Sequence, residues 1–224
     1  MSCIGIVGGL GVGATLHYYE KITTACTARK VVPKLVINHA DANTGQVFIR
    51  AGRLDQLGDY LAPYIEQLAT AGAEAVAIPA VTPHIAIADI QARTNVPLIN
   101  IMETLATELR AKKVKRVALF GTIYTMQGSL WGQMTAAEIV KPQPDEMKFL
   151  GDAYQRLLDT RTPAPGDVDR FREIAAALQK RDGVEAILLA GTDLTVIFDE
   201  ATAGFPCIDV ARPHIDAIVA RLLG

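Results

Sequence analysis

The distribution of hydrophobic and polar positions predicts an α/β protein in which parallel sheets are covered by helices. Short apolar runs rich in β-branched residues alternate with longer segments of helical periodicity along the whole chain. The predicted strands form two series, the first at residues 3–7, 34–38, 75–78 and 98–99, and the second at 116–120, 139–141, 186–189 and 207–208. Helices are expected near residues 13–27, 53–71, 85–91, 101–110, 129–137, 148–158, 165–180 and 213–223.

The two series of strands look like copies of one plan, because segments of the first match segments of the second in the same order and at a nearly constant offset. The matched pairs are 4–8 with 117–121, 72–80 with 183–191, and 96–100 with 205–209. We therefore predict two pseudo-symmetric domains, residues 1–97 plus 211–224 and residues 98–210, each a parallel sheet flanked by helices. Ligands bind beyond the carboxyl ends of parallel strands, so the duplication predicts a ligand cleft between the domains.

A glycine-rich turn follows the first predicted strand and opens a helix. It contains Gly9, Leu10 and Gly11, and its backbone amides and helix dipole could hold a carboxylate. The turn also fits G-x-G-x-x-A. A dinucleotide site, however, needs an acidic residue at the end of the second strand, where the sequence reads Asn38-His39. The alternative is a tight turn that simply requires glycine.

Polar residues follow both copies of the duplicated strand end. Thr82 and Thr192 occupy matching places, where a hydroxyl and the amides of a starting helix can bind a carboxylate. The alternative is that each threonine only caps the helix that follows it. His84 is a candidate base because imidazole titrates near neutrality, with a structural histidine as the alternative. Asp193 is the carboxylate of the second loop.

Segments along essentially the whole chain carry a family resemblance. They are Ile4-Gly5-Ile6-Val7-Gly8-Gly9-Leu10-Gly11 with Ala14-Thr15 and Tyr18-Tyr19, then Gly121-Thr122-Ile123-Tyr124-Thr125-Met126 with Trp131, and Asp209-Val210-Ala211-Arg212-Pro213-His214. Together they resemble the aspartate/glutamate racemase superfamily. The resemblance implies cofactor-free inversion of an amino acid's α-carbon by two cysteines on opposite faces. One thiolate takes the α-proton while the other thiol returns a proton.

Both cysteines of that mechanism are missing from this chain. The family motif Cys-Asn-Thr-Ala-His reads Ala80-Val81-Thr82-Pro83-His84 here, and Gly-Cys-Thr-Glu-Leu reads Ala190-Gly191-Thr192-Asp193-Leu194. Ala80 and Gly191 therefore stand at the positions of the two thiols. The existing Cys3, Cys26 and Cys207 match neither position and are expected to be buried and inert. Restoring both thiols, Ala80→Cys with Gly191→Cys, is expected to create weak racemase activity.

These residues support a principal functional hypothesis and two alternatives. The first is an enzyme that acts on a small amino or carboxylic acid by proton transfer or a related lyase step. Its catalytic candidates are His84, Asp193, Tyr124 and Asp41, with His39 nearby, and its ligand-binding candidates are Gly9, Leu10, Gly11, Asn43, Thr82, Thr122, Thr125 and Thr192. Arg50, Arg53 or Arg161 could close over the anion. The alternatives are a non-catalytic racemase relative that binds a small acid, and an unrelated nucleotide-dependent enzyme.

Composition and charge narrow the classes of partner. The formal net charge is −2, and the one dense cationic run, Lys112-Lys113-Val114-Lys115-Arg116, does not predict a nucleic-acid surface. The apolar runs are shorter than a membrane span requires, and the odd number of cysteines suggests neither disulfides nor a metal site. We expect a cytoplasmic protein with a small-acid ligand, no cofactor, no metal and, as the resemblance implies, a homodimeric assembly.

Overall fold

Two parallel four-stranded sheets organise residues 2–224, the part of the chain that the computed structural model describes. The strands are β1 (Cys3–Gly8), β2 (Lys34–His39), β3 (Ala75–Ala77), β4 (Leu98–Ile99), β5 (Arg116–Phe120), β6 (Glu138–Val140), β7 (Ala186–Leu189) and β8 (Cys207–Asp209). The helices are α1 (Val12–Thr27), α2 (Ala42–Arg50), α3 (Leu54–Thr70), α4 (Ile87–Gln91), α5 (Ile101–Lys112), α6 (Ile123–Gly128), α7 (Pro144–Thr160), α8 (Asp167–Asp182) and α9 (Ala211–Leu223). Short 3₁₀ turns lie at Thr82–Ala86, Ser129–Gly132 and Thr192–Val196.

The strand order confirms the predicted α/β class and the internal duplication. The first sheet is ordered β2-β1-β3-β4 and the second β6-β5-β7-β8, so each reads second, first, third, fourth. In both sheets the third strand is followed by a 3₁₀ turn that begins at a threonine. The chain forms two compact units, one that runs to Ile101 and takes in Ala211–Gly224, and one at Met102–Val210.

The inner strands of the first sheet, β1 and β3, are buried on both faces and almost wholly apolar, whereas the edge strand β2 is partly exposed. Ile4 and Ile6 of β1 point into a core closed by α1 and α9. Val7 and Val76 point to the opposite face, into a core closed by α3 and α4. This alternation is the two-residue period of a strand. Because β1 pairs in parallel with β2 and β3, the carboxyl ends of the three strands lie at one edge of the sheet.

The second unit has β5 between β6 and β7, and aromatic rings fill its core. Phe120 at the end of β5 packs against Phe171 and Phe205, with ring centroids 5.4 and 5.9 Å apart. Helices α7 and α8 are joined by a two-pronged ion pair, in which the Arg181 guanidinium donates to both carboxylate oxygens of Glu146 at 2.9 and 3.0 Å. These contacts join α7 to α8, and α8 to the end of β5.

The predicted strands are confirmed to within a residue or two of each end, whereas the helix predicted at 129–137 is wrong. Helix α6 lies before that segment, and Ser129, Leu130 and Trp131 have φ angles of 48°, 53° and 54°. Side chains rarely adopt this left-handed backbone, which cannot continue a right-handed helix. Helices α2 and α6 were not predicted. No helix within residues 2–224 combines the length and apolarity needed to cross a bilayer.

Candidate functional site

The strand end after β3 carries a buried histidine whose two ring nitrogens are both engaged. His84 Nδ1 lies 2.8 Å from the carbonyl oxygen of Ala80. A carbonyl can only accept, so Nδ1 carries the proton and Nε2 faces the amide of Ile101, which donates to it at 3.5 Å. Burial lowers the pKa of His84 to about 4, so the imidazole is neutral at pH 7. The histidine ties the Ala80 loop to the start of α5.

A second buried histidine extends this arrangement. His214 Nε2 lies 2.7 Å from the carbonyl oxygen of Ile99 and therefore donates to it. The remaining nitrogen, Nδ1, accepts from the Tyr18 hydroxyl at 2.9 Å. Burial, with a smaller contribution from His84, lowers the pKa of His214 to about 3. The two imidazoles meet edge to face, with ring centroids 6.4 Å apart, and both are neutral.

The glycine turn after β1 packs closely against the segment that follows β2. Gly9 has φ = 87°, and a Cβ there would collide with the carbonyl oxygen of Ala40 and lie 2.8 Å from His39 Nε2. The amide of Gly9 donates to the Thr15 hydroxyl at 3.0 Å, and that hydroxyl donates to the carbonyl oxygen of Gly11 at 2.8 Å. Thr15 thus occupies one amide of the turn. The ligand-binding role of Gly9, Leu10 and Gly11 stays a prediction.

The carboxylate that follows β2 caps a helix. Asp41 accepts from the amides of Asn43 and Thr44, at 3.2 and 2.9 Å, and from the Thr44 hydroxyl at 2.6 Å. The bond from that hydroxyl is the largest cause of the lowered pKa of Asp41, followed by the two amides. Tyr60 fixes the backbone here, since its hydroxyl accepts from the Asp41 amide at 2.8 Å and donates to the Asp41 carbonyl at 2.9 Å. His39 and Asn43 are exposed beside this cap.

The strand end after β7 carries buried polar groups. Gly191 donates its amide to the carbonyl oxygen of Phe120 at 3.0 Å, which holds it against the end of β5. Thr192 and Asp193 follow at the start of the 3₁₀ turn, and both are buried. Asp193 is thus a carboxylate with only 4% of its surface exposed, at the carboxyl end of an inner strand of the second sheet.

Tyr154 of α7 belongs to this strand end although the sequence did not single it out. Its hydroxyl donates to Asp193 Oδ2 at 3.5 Å. Burial first, and then the negative charge of Asp193, raise the pKa of Tyr154 well above its ordinary value, so the phenol keeps its proton. The available signal was weak, because Met147, Leu150, Tyr154 and Leu157 share the helical spacing of an ordinary core stripe.

The start of α6 brings together the remaining predicted polar residues of the second unit. Thr122 is the N-cap and accepts from the Thr125 amide at 3.1 Å, and the two hydroxyls lie 2.9 Å apart. Tyr124 is half-buried in the first turn of the same helix. Thr122, Tyr124 and Thr125 are thereby grouped at the end of β5, which pairs with β7.

None of the candidate arginines is distinguished by its surroundings. Arg50 donates to Gln46 at 3.0 Å, and Arg53 donates to Gln56 at 2.9 Å and lies over the Phe48 ring. Arg161 is exposed and ends α7 with a φ of 56°. The choice among them stays open.

The family pattern of Asp/Glu/hydantoin racemases matches residues 7–218. The chain belongs to the Asp/Glu/hydantoin racemase family. Solved structures agree with its fold. A Yersinia pestis protein proposed to be an Asp/Glu racemase is 23% identical with a TM-score of 0.87, and the match covers 100% of both chains. An aspartate racemase homologue from Pyrococcus horikoshii OT3 is 25% identical with a TM-score of 0.81, again over 100% of both chains. The aspartate racemase of Picrophilus torridus is 21% identical with a TM-score of 0.79, over 100% of this chain and 93% of that one.

This racemase-family protein has no thiol at either motif position. Cys3 begins β1 and is only partly buried, contrary to the prediction, whereas Cys26 lies buried near the end of α1. Cys207 is buried in β8, where burial and then the charges of Glu200, Asp209 and Asp199 raise its pKa to about 11. A protonated thiol is a poor nucleophile and a poor base. Among residues 2–224, no three His, Cys, Asp or Glu side chains are grouped as a metal site would require.

The expectation that both thiols could simply be restored needs correction at position 191. A Cβ built on Gly191 would lie 2.5 Å from Tyr154 Cζ and 2.9 Å from Cδ2, and closer still to Cε2. Such approaches are repulsive, so Gly191→Cys cannot be accommodated while Tyr154 keeps its place. Ala80 already carries a Cβ and raises no such conflict. The two motif positions therefore differ in whether a Cβ can be accommodated.

Proposed function

We propose that this racemase-family protein is an enzyme that acts on a small amino or carboxylic acid by cofactor-independent proton transfer without thiols. In this proposal Asp193 accepts the α-proton of the ligand. The observation that carries it is a buried carboxylate at the carboxyl end of β7, two residues after the position of a family thiol. Buried titratable groups at strand ends are where proton-transfer chemistry is commonly arranged.

The first unit supports the proposal by lacking a comparable group at its matching strand end. His84 follows Ala80, but it is neutral, and both of its ring nitrogens are engaged with Ala80 and Ile101. We therefore assign His84 to holding the Ala80 loop instead of to proton transfer. With one carboxylate and no matched partner, the expected reaction is proton exchange at one face of the α-carbon, without inversion.

Ligand binding in this proposal uses threonine hydroxyls of the second unit. Thr192 begins the 3₁₀ turn that carries Asp193, and Thr122, the N-cap of α6, lies at the end of β5, the strand that pairs with β7. A threonine hydroxyl can donate a hydrogen bond to the carboxylate of a ligand. The ligand-binding role of Thr82 in the first unit stays a prediction. The proposal needs no cofactor. A homodimer in the cytoplasm is part of the same proposal and is tested by light scattering and by cell fractionation.

Proton exchange in heavy water tests the function directly. The protein is incubated with L- and D-aspartate, L- and D-glutamate and small dicarboxylates, and the α-proton signal is followed by ¹H NMR while chirality is followed by chromatography. We expect loss of the α-proton signal from at least one acid with its configuration retained. Racemisation would show that a second base operates on the opposite face and would contradict the one-face mechanism.

A non-catalytic role is the second candidate, and the hydrogen bonding of two catalytic candidates favours it. The contacts described for His84 and Asp41 serve the Ala80 loop and the α2 cap. This candidate predicts no exchange with any acid, together with a rise in the melting temperature when one acid is added, because a ligand that binds only the folded state stabilises it. Exchange that is lost in Asp193→Asn would exclude it.

A further inference from the structure

Position 191 is glycine for a steric reason that the sequence motif does not reveal. Its backbone angles are φ −105° and ψ 107°, an extended conformation that any residue adopts. The backbone therefore imposes no need for glycine. The restriction comes from the Tyr154 ring, whose atoms Cζ and Cδ2 would lie 2.5 and 2.9 Å from a Cβ at this position.

The Tyr154 ring is held where it is by the packing of α7. The side chain is 4% exposed, and Leu150 and Leu157, one turn to either side, are also buried. Gly151 lets α7 approach α6 closely, since a Cβ there would lie 3.3 Å from Ile123 Cβ. A tyrosine fixed in this way cannot rotate aside without opening the core of the second unit.

The hydroxyl of the same side chain meets the proposed base. It lies 3.5 Å from Asp193 Oδ2 and donates to that oxygen. We infer that Tyr154 is the positioning residue of this strand end: its ring takes the volume that a side chain at 191 would need, and its hydroxyl orients the Asp193 carboxylate. The inference about the hydroxyl rests on the proposed function, whereas the inference about the ring does not.

Substitutions at Gly191 and Tyr154 test whether the tyrosine ring excludes a side chain at position 191. Gly191→Ala adds only the Cβ, and Tyr154→Ala removes the ring. We expect Gly191→Ala alone to lower the melting temperature clearly, and to cost nothing further in a Tyr154→Ala background, because the two changes act on one contact. Gly45→Ala is the control, since a Cβ there finds its nearest neighbour at an ordinary 3.8 Å. Equal losses from Gly191→Ala in both backgrounds, or no loss in the wild type, would overturn the inference.

Tyr154→Phe tests the hydroxyl while keeping the ring. We expect a modest fall in melting temperature, because a buried carboxylate loses a donor. At constant folded fraction we expect a fall in kcat for α-proton exchange of about 10-fold or more and little change in KM. A fall in kcat matched by a loss of folded protein would instead indicate a structural role and would count against the inference.

A spectroscopic readout keeps this test independent of activity. With ¹³Cζ-labelled tyrosine, the Tyr154 resonance should resist titration to high pH, and Asp193→Asn should lower its pKa because the neighbouring negative charge is removed. Asp152→Asn, an exposed carboxylate of the same helix paired with Lys148, should leave that pKa unchanged. If the pKa of Tyr154 does not change in Asp193→Asn, the contact between the two side chains is contradicted. If the pKa changes as expected but no acid exchanges its α-proton, only the proposed function is overturned.

Discussion

The strand ends after β3 and β7 share a backbone plan and differ in chemistry. Each follows the third strand of its sheet and opens a 3₁₀ turn with a threonine. The first is closed by His84, an uncharged imidazole whose bonds run to backbone atoms. The second holds Asp193 next to the phenol of Tyr154. The backbone of the two strand ends is thus duplicated whereas their side chains are not, and the proposed proton transfer is assigned to the second strand end alone.

The largest expected effect comes from the carboxylate of the second strand end. Asp193→Asn should reduce the rate of α-proton exchange by about 10²–10⁴-fold, the usual contribution of a positioned base. The measurement is single-substrate exchange by NMR at constant folded fraction. Asp152→Asn on α7 is the matched control and should exchange at the wild-type rate. Full activity in Asp193→Asn would mean that the two strand ends do not differ in the way proposed.

The buried histidine of the first strand end should make the free energy of unfolding fall at acid pH. His84 has a pKa of about 4 in the folded state, below the ordinary value of an unfolded histidine, so the unfolded chain binds more protons between those values. Its contribution is complete above pH ~6.5 and is lost as the pH falls towards 4, a change of about 3 kcal/mol for a shift of this size. His214 adds in the same direction.

Urea unfolding at a series of pH values measures this dependence. His84→Asn, which keeps a side-chain donor, should be less stable at pH 7 and should show a flatter decline between pH 6.5 and 4. His39→Gln changes an exposed ring and should keep the wild-type slope. An unfolding free energy that is constant across this range would contradict the burial of both imidazoles.

A smaller effect on stability is expected from removing the Tyr18 hydroxyl, which is hydrogen-bonded to His214. Tyr18→Phe leaves His214 Nδ1 without the donor that now lies 2.9 Å away, which should cost about 1–2 kcal/mol. Tyr19→Phe is the neighbouring control, because Tyr19 is 50% exposed. Chemical denaturation of the two variants side by side provides the measurement. Equal losses at both positions would argue against a buried hydrogen-bonded chain in the first unit.

The smallest effect separates capping from catalysis at Asp41. Asp41→Ala should lower the melting temperature slightly by removing the α2 cap. Asp41→Asn keeps a capping oxygen and should melt close to the wild type. Exchange rates of both variants should match the wild type once corrected for folded protein. If Asp41→Asn folds normally and loses exchange, then Asp41 belongs with Asp193 as a catalytic group.

The fold was largely predictable because its signals are local and repeated. Strands such as β1 and β5 are runs of apolar residues, and the matched segments of the sequence indicate two sheets of the same design. The helix predicted at 129–137 failed because its apolar periodicity says nothing about the left-handed angles at Leu130 and Trp131. Helix α2 was not predicted because an aspartate after a strand can either bind a ligand or cap a helix, and the sequence does not distinguish these roles for Asp41.

The candidate site was predictable only in part because its key contact is remote in sequence. The motif positions Ala80 and Gly191 could be found from spacing. The ring that fills the space beside Gly191 comes from Tyr154 on another helix, and size complementarity between distant residues leaves no trace in a single sequence. The sequence also does not distinguish a catalytic His84 from a structural one. Its hydrogen bonds to the backbone of Ala80 and Ile101 indicate the structural role.

Helix α9 has a consequence for the order in which the two units can complete their cores during synthesis. Its buried residues Ala211, Ile215 and Ile218 complete the same core as Ile4 and Ile6, so the first unit is assembled from both ends of the sequence. The second unit is continuous in the chain. During synthesis the later-made unit therefore holds all its core residues before the earlier one does. We therefore expect the core of the earlier-made unit to stay uncovered on the α9 side until residues 211–224 have been synthesised, whereas domains generally fold in the order in which they are made.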